Sequence, residues 1–227
     1  LALRPKQVPQ LEGFRLAVHM STANEVGGVY YDVHTNGSGS CTVVMGDATG
    51  HGLHAGMVVG VAKSLFQTCG QEPNLAGALG RIGEGLSSMH RRQASMAMLL
   101  ARFEGRHVQL ASAGMPPVLV WRRGSGAVEE VMLPSVPLAT LADVRFNETQ
   151  IDLREGDSVL LMTDGLAEVA NPDGDLLGYE RATRFFSEVA DLEPESAIER
   201  LLELAADYNE GTPLQDDMTL MVLKAQA

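Results

Sequence analysis

Cysteine, positive charge and long apolar runs are all scarce in this 227-residue sequence. Its two cysteines, Cys41 and Cys69, are too few for a disulfide scaffold and favour a reducing compartment, with buried thiols that have no role. The net charge of −12 argues against nucleic acid or an anionic membrane as a partner. No signal peptide opens the chain, and the apolar run from Met57 to Phe66 is interrupted by Lys63. We therefore expect a cytoplasmic domain that neither binds nucleic acid nor inserts into a membrane.

The rest of the composition predicts one globular domain. Hydrophobic residues make up 45% and charged residues 20% of the chain, which is ordinary for a soluble fold. Residues 1–13 carry Pro5 and Pro9 without periodicity, so we expect a linker from an upstream sensor domain in the same chain. The folded domain is expected over residues 14–227.

Short apolar segments separated by turn residues predict strands, and two pairs of segments have helical spacing. The predicted strands are Phe14–Met20, Gly28–His34, Cys41–Met45, Met96–Phe103, His107–Ala111, Val118–Trp121, Val128–Met132, Phe146–Leu153, Ser158–Thr163 and Met218–Lys224. The predicted helices are Leu53–Thr68, Leu75–Arg92, Leu177–Val189 and Pro194–Tyr208. This order predicts an α+β fold, a four-layer αββα sandwich of two antiparallel sheets flanked by helix pairs.

Acidic residues adjoin three of the predicted strands. Asp47 comes after the Cys41–Met45 run, Asp164 follows Thr163, and Asp216 and Asp217 immediately precede Met218. Each could be an ordinary loop acid. Their shared position at strand ends instead predicts a site for Mg²⁺ or Mn²⁺, because these hard cations take oxygen ligands held on rigid elements.

A zinc site at His51 and His54 is a weaker interpretation, since no cysteine or third ligand stands nearby. His51 is also chemically suited to donate a proton to a leaving seryl oxygen. We expect instead that His51 shapes the turn, where Gly50 and Gly52 allow close approach of the backbone.

Five stretches, taken in order, resemble the metal-dependent type 2C protein phosphatases (the PPM family), and among them the bacterial SpoIIE-type phosphatase domain. They are Glu25-Val-Gly-Gly-Val-Tyr-Tyr-Asp32, Gly46-Asp-Ala-Thr-Gly-His-Gly-Leu53, Ala113-Gly-Met-Pro-Pro117, Thr163-Asp-Gly165 with Asn171-Pro-Asp-Gly174, and Asp216-Asp-Met-Thr219. Any one of them is weak alone, but together they span nearly the whole chain.

The resemblance implies hydrolysis of phosphoserine or phosphothreonine by a water activated at a site for two Mn²⁺ or Mg²⁺ ions. It implies that Asp47 bridges both ions and that the backbone carbonyl of Ala48 holds one. Asp164 and Asp216 would complete the shell of the first ion, with Asp217 as the alternative to Asp216. The implied partner is a phosphorylated regulator of the anti-anti-sigma-factor type, and a homodimer is left open.

Val29 departs from the family pattern, in which this position carries an acid that serves the second ion. An isopropyl group has no ligand atom, so we expect weakened binding of the second ion and weakened catalysis. Asp32 is a poor replacement, because three residues along a strand place it on the opposite face. The alternative is a catalytically disabled pseudophosphatase that binds its partner without turnover. A regulatory kinase is disfavoured, since the sequence has no glycine-rich nucleotide box.

Overall fold

The computed structural model describes residues 11–22, 27–35, 39–89, 95–212 and 216–226. The chain divides into two compact units. Among the described residues, the first unit comprises those between 27 and 115 and residues 133–152, and the second comprises residues 11–22, residues 116–132 and those between 153 and 226. Each unit contains one five-stranded antiparallel sheet and one pair of helices.

The elements follow one another in the predicted order. The strands are β1 (Phe14–Ser21), β2 (Val29–Thr35), β3 (Cys41–Ala48), β4 (Met96–Glu104), β5 (His107–Ala113), β6 (Val118–Arg122), β7 (Ala127–Val131), β8 (Glu148–Asp152), β9 (Ser158–Met162) and β10 (Met218–Ala225). The helices are α1 (Leu53–Cys69), α2 (Leu75–Ser87), α3 (Gly178–Val189) and α4 (Pro194–Asn209), and a 3₁₀ turn spans Asp164–Leu166.

In the first unit the strand order is β2-β3-β4-β5-β8. Helices α1 and α2 pack on one face of this sheet, where Phe66 and Ile82 share a core with Val44 and Leu100. Successive residues of a strand point to opposite faces. Even-numbered residues of β3, such as Val44, therefore face the helices, and odd-numbered ones face away.

In the second unit the strand order is β1-β10-β9-β6-β7. Helices α3 and α4 cover one face, where Phe186 and Leu201 are buried with Leu160 of β9 and Leu220 of β10. Strand β10 lies between β1 and β9, with Ser21 opposite Met218 and Met162 opposite Leu220. Two ladders therefore hold the strand that follows Asp216 and Asp217.

The predicted class is confirmed: the chain is α+β, with two antiparallel sheets and a helix pair for each. Two boundaries were wrong by three or more residues, because β3 continues beyond Met45 to Ala48 and α2 ends at Ser87 rather than Arg92. The predicted turn at residues 36–39 lies mostly outside the described residues, but β2 and β3 pair antiparallel as expected. In the described part of the chain, none of the helices is long and apolar enough to cross a membrane.

Candidate functional site

Asp47 lies inside β3, one residue before its end, and not beyond the strand as predicted. It stands opposite Val29 of β2 and Ala97 of β4. Because Val44 and Ala48 face the helices, Asp47 projects from the other face of the sheet. Ladders on both sides therefore hold the backbone of this half-buried acid.

The backbone of Gly28 lies close to that of Ala48. The Ala48 N–H donates to the Gly28 carbonyl at 3.0 Å. A Cβ built on Gly28 would lie 2.4 Å from the Ala48 carbonyl oxygen and 3.1 Å from Oδ1 of Asp47. A side chain at position 28 would therefore displace the two predicted ligands of the first unit.

Val29 is 8% exposed and lies directly opposite Asp47. Residues paired across antiparallel strands project from the same face, so position 29 points to the side of the sheet where Asp47 lies. Asp32 does not replace the missing acid. Its carboxylate contacts Lys63 Nζ at 2.5 Å and accepts from Gln67 of α1 at 3.1 Å, on the helix-covered face.

The turn between β3 and α1 depends on glycine. Gly50 and Gly52 have φ angles of +87° and +76°, a region that side chains strongly disfavour. His51 between them is exposed, and Nδ1 of His54 is buried without a hydrogen bond in the described structure. Among the described residues neither histidine belongs to a group of three metal-ligating side chains, so the zinc interpretation gains no support.

Asp164 and Asp216 come together in the second unit. Thr163 donates its N–H to the Thr219 carbonyl at 3.0 Å, and the Thr219 N–H donates to Thr163 Oγ1 at 2.9 Å. Two residues after Thr163, a Cβ on Gly165 would lie 2.2 Å from the Asp217 carbonyl oxygen. These contacts hold the start of the 3₁₀ turn against the residues that precede β10.

The Asp164 carboxylate is partly shielded from water, and hydrogen bonds from the backbone N–H groups of Asp164 and Gly165 compensate for only part of this burial. Its Oδ1 is buried and has no hydrogen-bond partner among the described residues. Burial raises the pKa of Asp164, and the negative charge of Asp216 raises it further. Asp216 is exposed and accepts a hydrogen bond from the Asp217 N–H at 2.7 Å, while Asp217 itself is buried. The neighbouring charge that acts on the pKa of Asp164 is therefore the carboxylate of Asp216.

Two residues near these acids were not singled out from the sequence. Although the Glu168 side chain is largely exposed, partial burial of its carboxyl raises its pKa, and the charges of Asp164 and Asp216 add to this effect. Burial also raises the pKa of the Tyr179 phenol, as do the charges of Asp164 and Glu168. The spacing of Glu168, four residues after Asp164, was the one available signal, because it corresponds to a single helical turn.

A divalent cation suits the carboxylates of the second unit. A buried carboxylate oxygen without a partner, beside another negative charge, costs free energy that a cation would offset. The donors are carboxylate oxygens, the ligands that Mg²⁺ and Mn²⁺ prefer. Asp164 and Asp216 could thus hold such an ion, and in the first unit Asp47 and the Ala48 carbonyl offer oxygen donors of the same kind.

Comparison with known structures identifies the fold. The SiaA-PP2C domain of Pseudomonas aeruginosa is 19% identical, with a TM-score of 0.82 over 92% of this chain and 85% of that one. The PP2C phosphatase domain of SpoIIE from Bacillus subtilis is 16% identical, with a TM-score of 0.74 over 93% of this chain and 63% of that one. The catalytic domain of the serine/threonine phosphatase PstP, in complex with two manganese ions, is 15% identical, with a TM-score of 0.64 over 94% and 99%.

Sequence comparison identifies the family. No curated protein matches the sequence significantly. Residues 37–226 match the sequence profile described as Stage II sporulation protein E (SpoIIE). The matched region is most of the chain, and the similar structures are PP2C-type phosphatase domains. The chain therefore belongs to the SpoIIE family, and its fold is that of PP2C-type phosphatase domains.

Proposed function

We propose that this chain hydrolyses phosphoserine or phosphothreonine on a regulatory protein and that its activity depends on Mn²⁺ or Mg²⁺. The observation that carries the proposal is the buried, unpartnered Oδ1 of Asp164 beside the charge of Asp216. A purely structural acid at this position would be expected to have partners for both of its carboxylate oxygens. Membership of a metal-dependent phosphatase family supports the same conclusion.

Asp47, the Ala48 carbonyl, Asp164 and Asp216 are the proposed metal ligands, and Asp217 is the alternative to Asp216. When bound, divalent cations in such sites activate a water and neutralise charge on the phosphoryl group. The role of this chain's residues is positional. The ladders around β3 hold Asp47, and the Thr163–Thr219 hydrogen bonds hold Asp164 next to Asp216.

Val29 weakens the proposed site without removing it. The position opposite Asp47 has no ligand atom, and Asp32 is occupied by Lys63 and Gln67. We infer that the second ion depends on fewer protein ligands and requires a high metal concentration. Catalysis would then be reduced rather than absent.

The substrate we propose is a phosphorylated regulator of the anti-anti-sigma-factor type, and the upstream residues would connect a sensor domain. The support is the SpoIIE family match together with the acidic character of the domain, which disfavours nucleic acid. A domain of this kind would act on transcription through its partner rather than by contact with DNA.

A second candidate function is partner binding without turnover. The specific observation in its favour is again Val29, because the neighbouring strand offers Asp47 no second carboxylate at that position. The two functions differ in whether phosphate is released when metal is added.

The test combines metal binding with turnover. Binding of Mn²⁺ would be measured as the loss of the electron paramagnetic resonance signal of the free ion. Turnover would be measured as phosphate release from para-nitrophenyl phosphate across a Mn²⁺ titration. The parent would be compared with Asp164→Asn and with Asp173→Asn, an exposed acid in a nearby turn. We expect Asp164→Asn to lose at least about 100-fold in both Mn²⁺ affinity and turnover, and Asp173→Asn to resemble the parent.

The outcomes separate the candidates. Binding and release in the parent that both disappear in Asp164→Asn support the phosphatase. Mn²⁺ binding without release favours the binding function. If Asp164→Asn binds Mn²⁺ as the parent does, Asp164 is not a ligand and the proposed site is wrong.

A further inference from the structure

Leu176 and Tyr179 expose apolar side chains in the second unit. They are 52% and 42% exposed, although both residue types usually bury much of their surface. The large hydrophobic residues exposed in the described part of this unit are Met132, Leu176, Tyr179 and Leu192. Two of the four thus lie only three residues apart, in the segment that leads into α3.

Backbone hydrogen bonds place this segment beside Asp164. The Leu177 N–H donates to the Val169 carbonyl and the Gly178 N–H donates to the Ala167 carbonyl, both at 2.8 Å. Ala167 caps the 3₁₀ turn that begins with Asp164. Tyr179 is close enough to Asp164 and Glu168 for their charges to add to the effect of burial on the pKa of its phenol.

The backbone under Leu176 is rigidly held. The Tyr208 hydroxyl lies 3.1 and 3.2 Å from the carbonyl oxygens of Asp175 and Leu176, which share its single O–H as a donor. Arg181 donates to the carbonyls of Leu176 and Leu177 at 3.4 and 3.3 Å, and its guanidinium stacks over the Tyr208 ring. A partner that lands on this segment therefore has little backbone entropy to remove.

The Tyr208 hydroxyl and the Arg181 guanidinium thus hold the backbone of this segment, while the side chains of Leu176 and Tyr179 remain exposed. Isolated exposed hydrophobic residues are common and need no explanation. A neighbouring pair on a rigid backbone, next to a cluster of acids, is a better candidate for a contact surface. Tyrosine is also prominent among residues that dominate protein interfaces.

We propose that Leu176 and Tyr179 form a docking platform for the phosphoprotein substrate and contact an aliphatic or aromatic residue near its phosphoserine or phosphothreonine. This inference rests on the proposed function, because the phosphoryl group must approach Asp164 and Asp216. The surrounding charges restrict which residues can flank the phosphate. Glu168, Asp173 and Asp175 are exposed acids of the same region, so acidic residues flanking the phosphate would be repelled.

The test uses two phosphoserine nonapeptides that differ only in their flanking residues. One carries leucine two and three residues from the phosphoserine on both sides, and the other carries serine at those positions. We expect the parent to prefer the leucine peptide by about tenfold in kcat/KM, with the difference in KM. In Leu176→Ser and Tyr179→Ser the preference should fall to about two-fold or less.

Leu192→Ser is the matched control, because Leu192 is 43% exposed in the same unit but lies in the connection between α3 and α4. Its peptide preference should equal that of the parent. Fluorescence anisotropy with labelled peptides that carry an unhydrolysable phosphonate supplies a readout independent of turnover. The ratio of the two dissociation constants should follow the same pattern.

Equal binding of the two peptides by the parent would overturn the platform, as would a preference that survives both Leu176→Ser and Tyr179→Ser. Failure of the proposed function looks different. A parent that releases no phosphate but still binds the leucine phosphonate peptide more tightly, in a manner lost in Leu176→Ser, supports the platform on a binding module. Loss of both turnover and preference removes both proposals.

Discussion

The two units treat their acidic residues differently. In the first unit Lys63 balances Asp32, and Asp47 stands opposite the apolar side chain of Val29. In the second unit Asp164 has a buried oxygen without a partner and lies under the influence of Asp216. Among the described residues, the buried carboxylate oxygen without a hydrogen-bond partner is that of Asp164, so we expect the acids of the second unit to contribute most to attracting a cation.

The units are alike in how glycine supports the acids. Gly28 packs against the carbonyl of Ala48 in the first unit, and Gly165 packs against the carbonyl of Asp217 in the second. In both places a Cβ would meet backbone atoms at less than 2.5 Å. The acids differ in charge balance, but each depends on a close backbone contact that only glycine permits.

The largest effect is expected on the free energy of unfolding, which should respond differently when Asp32 and Asp164 are neutralised. Asp32→Asn leaves Lys63 without its partner, so we expect the free energy of unfolding to fall by about 2–4 kcal/mol. Asp164→Asn removes an unbalanced charge, so metal-free protein should keep its stability or gain up to about 1 kcal/mol. Urea unfolding in the presence of a chelator measures both.

Asp152→Asn is the control for these changes, because Asp152 has 78% of its side chain exposed. Its effect should stay within about 0.5 kcal/mol. Equal losses of stability in Asp32→Asn and Asp164→Asn would show that the charge of Asp164 is balanced after all, contrary to the difference between the units.

A smaller effect should appear in both units when their glycines are filled. Gly28→Ala and Gly165→Ala should each destabilise the protein by about 1–3 kcal/mol, because the added methyl group must push backbone aside. Thermal unfolding measures the change. Gly80→Ala in α2 is the control, since its Cβ meets nothing within 4 Å, and it should stabilise by about 0.5–1 kcal/mol. A neutral Gly165→Ala would disprove the tight contact in the second unit.

The smallest effect is expected from Val29→Asp, which would give the first unit two neighbouring carboxylates, as Asp164 and Asp216 provide in the second unit. Val29→Asp places a carboxylate opposite Asp47, so the Mn²⁺ concentration for half-maximal phosphate release should fall by about tenfold. Without metal, the two like charges should cost about 1 kcal/mol of stability. Val29→Asn has a similar shape without the charge and should reproduce neither result. An unchanged Mn²⁺ midpoint in Val29→Asp would show that position 29 does not serve the metal site.

Most of the fold was predictable because apolar spacing and turn residues mark its elements. The end of β3 was missed since Gly46, Asp47 and Ala48 have low strand propensity, and it is pairing with both β2 and β4 that extends the strand. The end of α2 was placed too late because helical spacing continues through Arg92, whereas the helix ends at Ser87. Pairing and termination depend on neighbours that a local pattern does not contain.

The site was only partly predictable for a related reason. Motifs singled out Asp47, Asp164 and Asp216 as candidate ligands, and alternation correctly placed Asp32 on the opposite face from Val29. The opposition of Val29 and Asp47 depends on strand register, which is fixed across a turn. The position of Tyr179 near Asp164 depends on backbone hydrogen bonds between residues about ten positions apart in the chain. The periodicity of the sequence carries no information about such hydrogen bonds.

The pairing of β1 with β10 has a mechanical consequence. Phe14 lies opposite Ala225, and the Gln226 N–H donates to the Gly13 carbonyl at 2.7 Å. A force applied through Gly13 and Gln226 would therefore load one end of this antiparallel ladder and open its hydrogen bonds in succession, instead of shearing them all at once. Such a ladder yields at low tension. The last pair to part would be Ser21 and Met218, so tension would reach the strand end beside Asp216 only after β1 had peeled away.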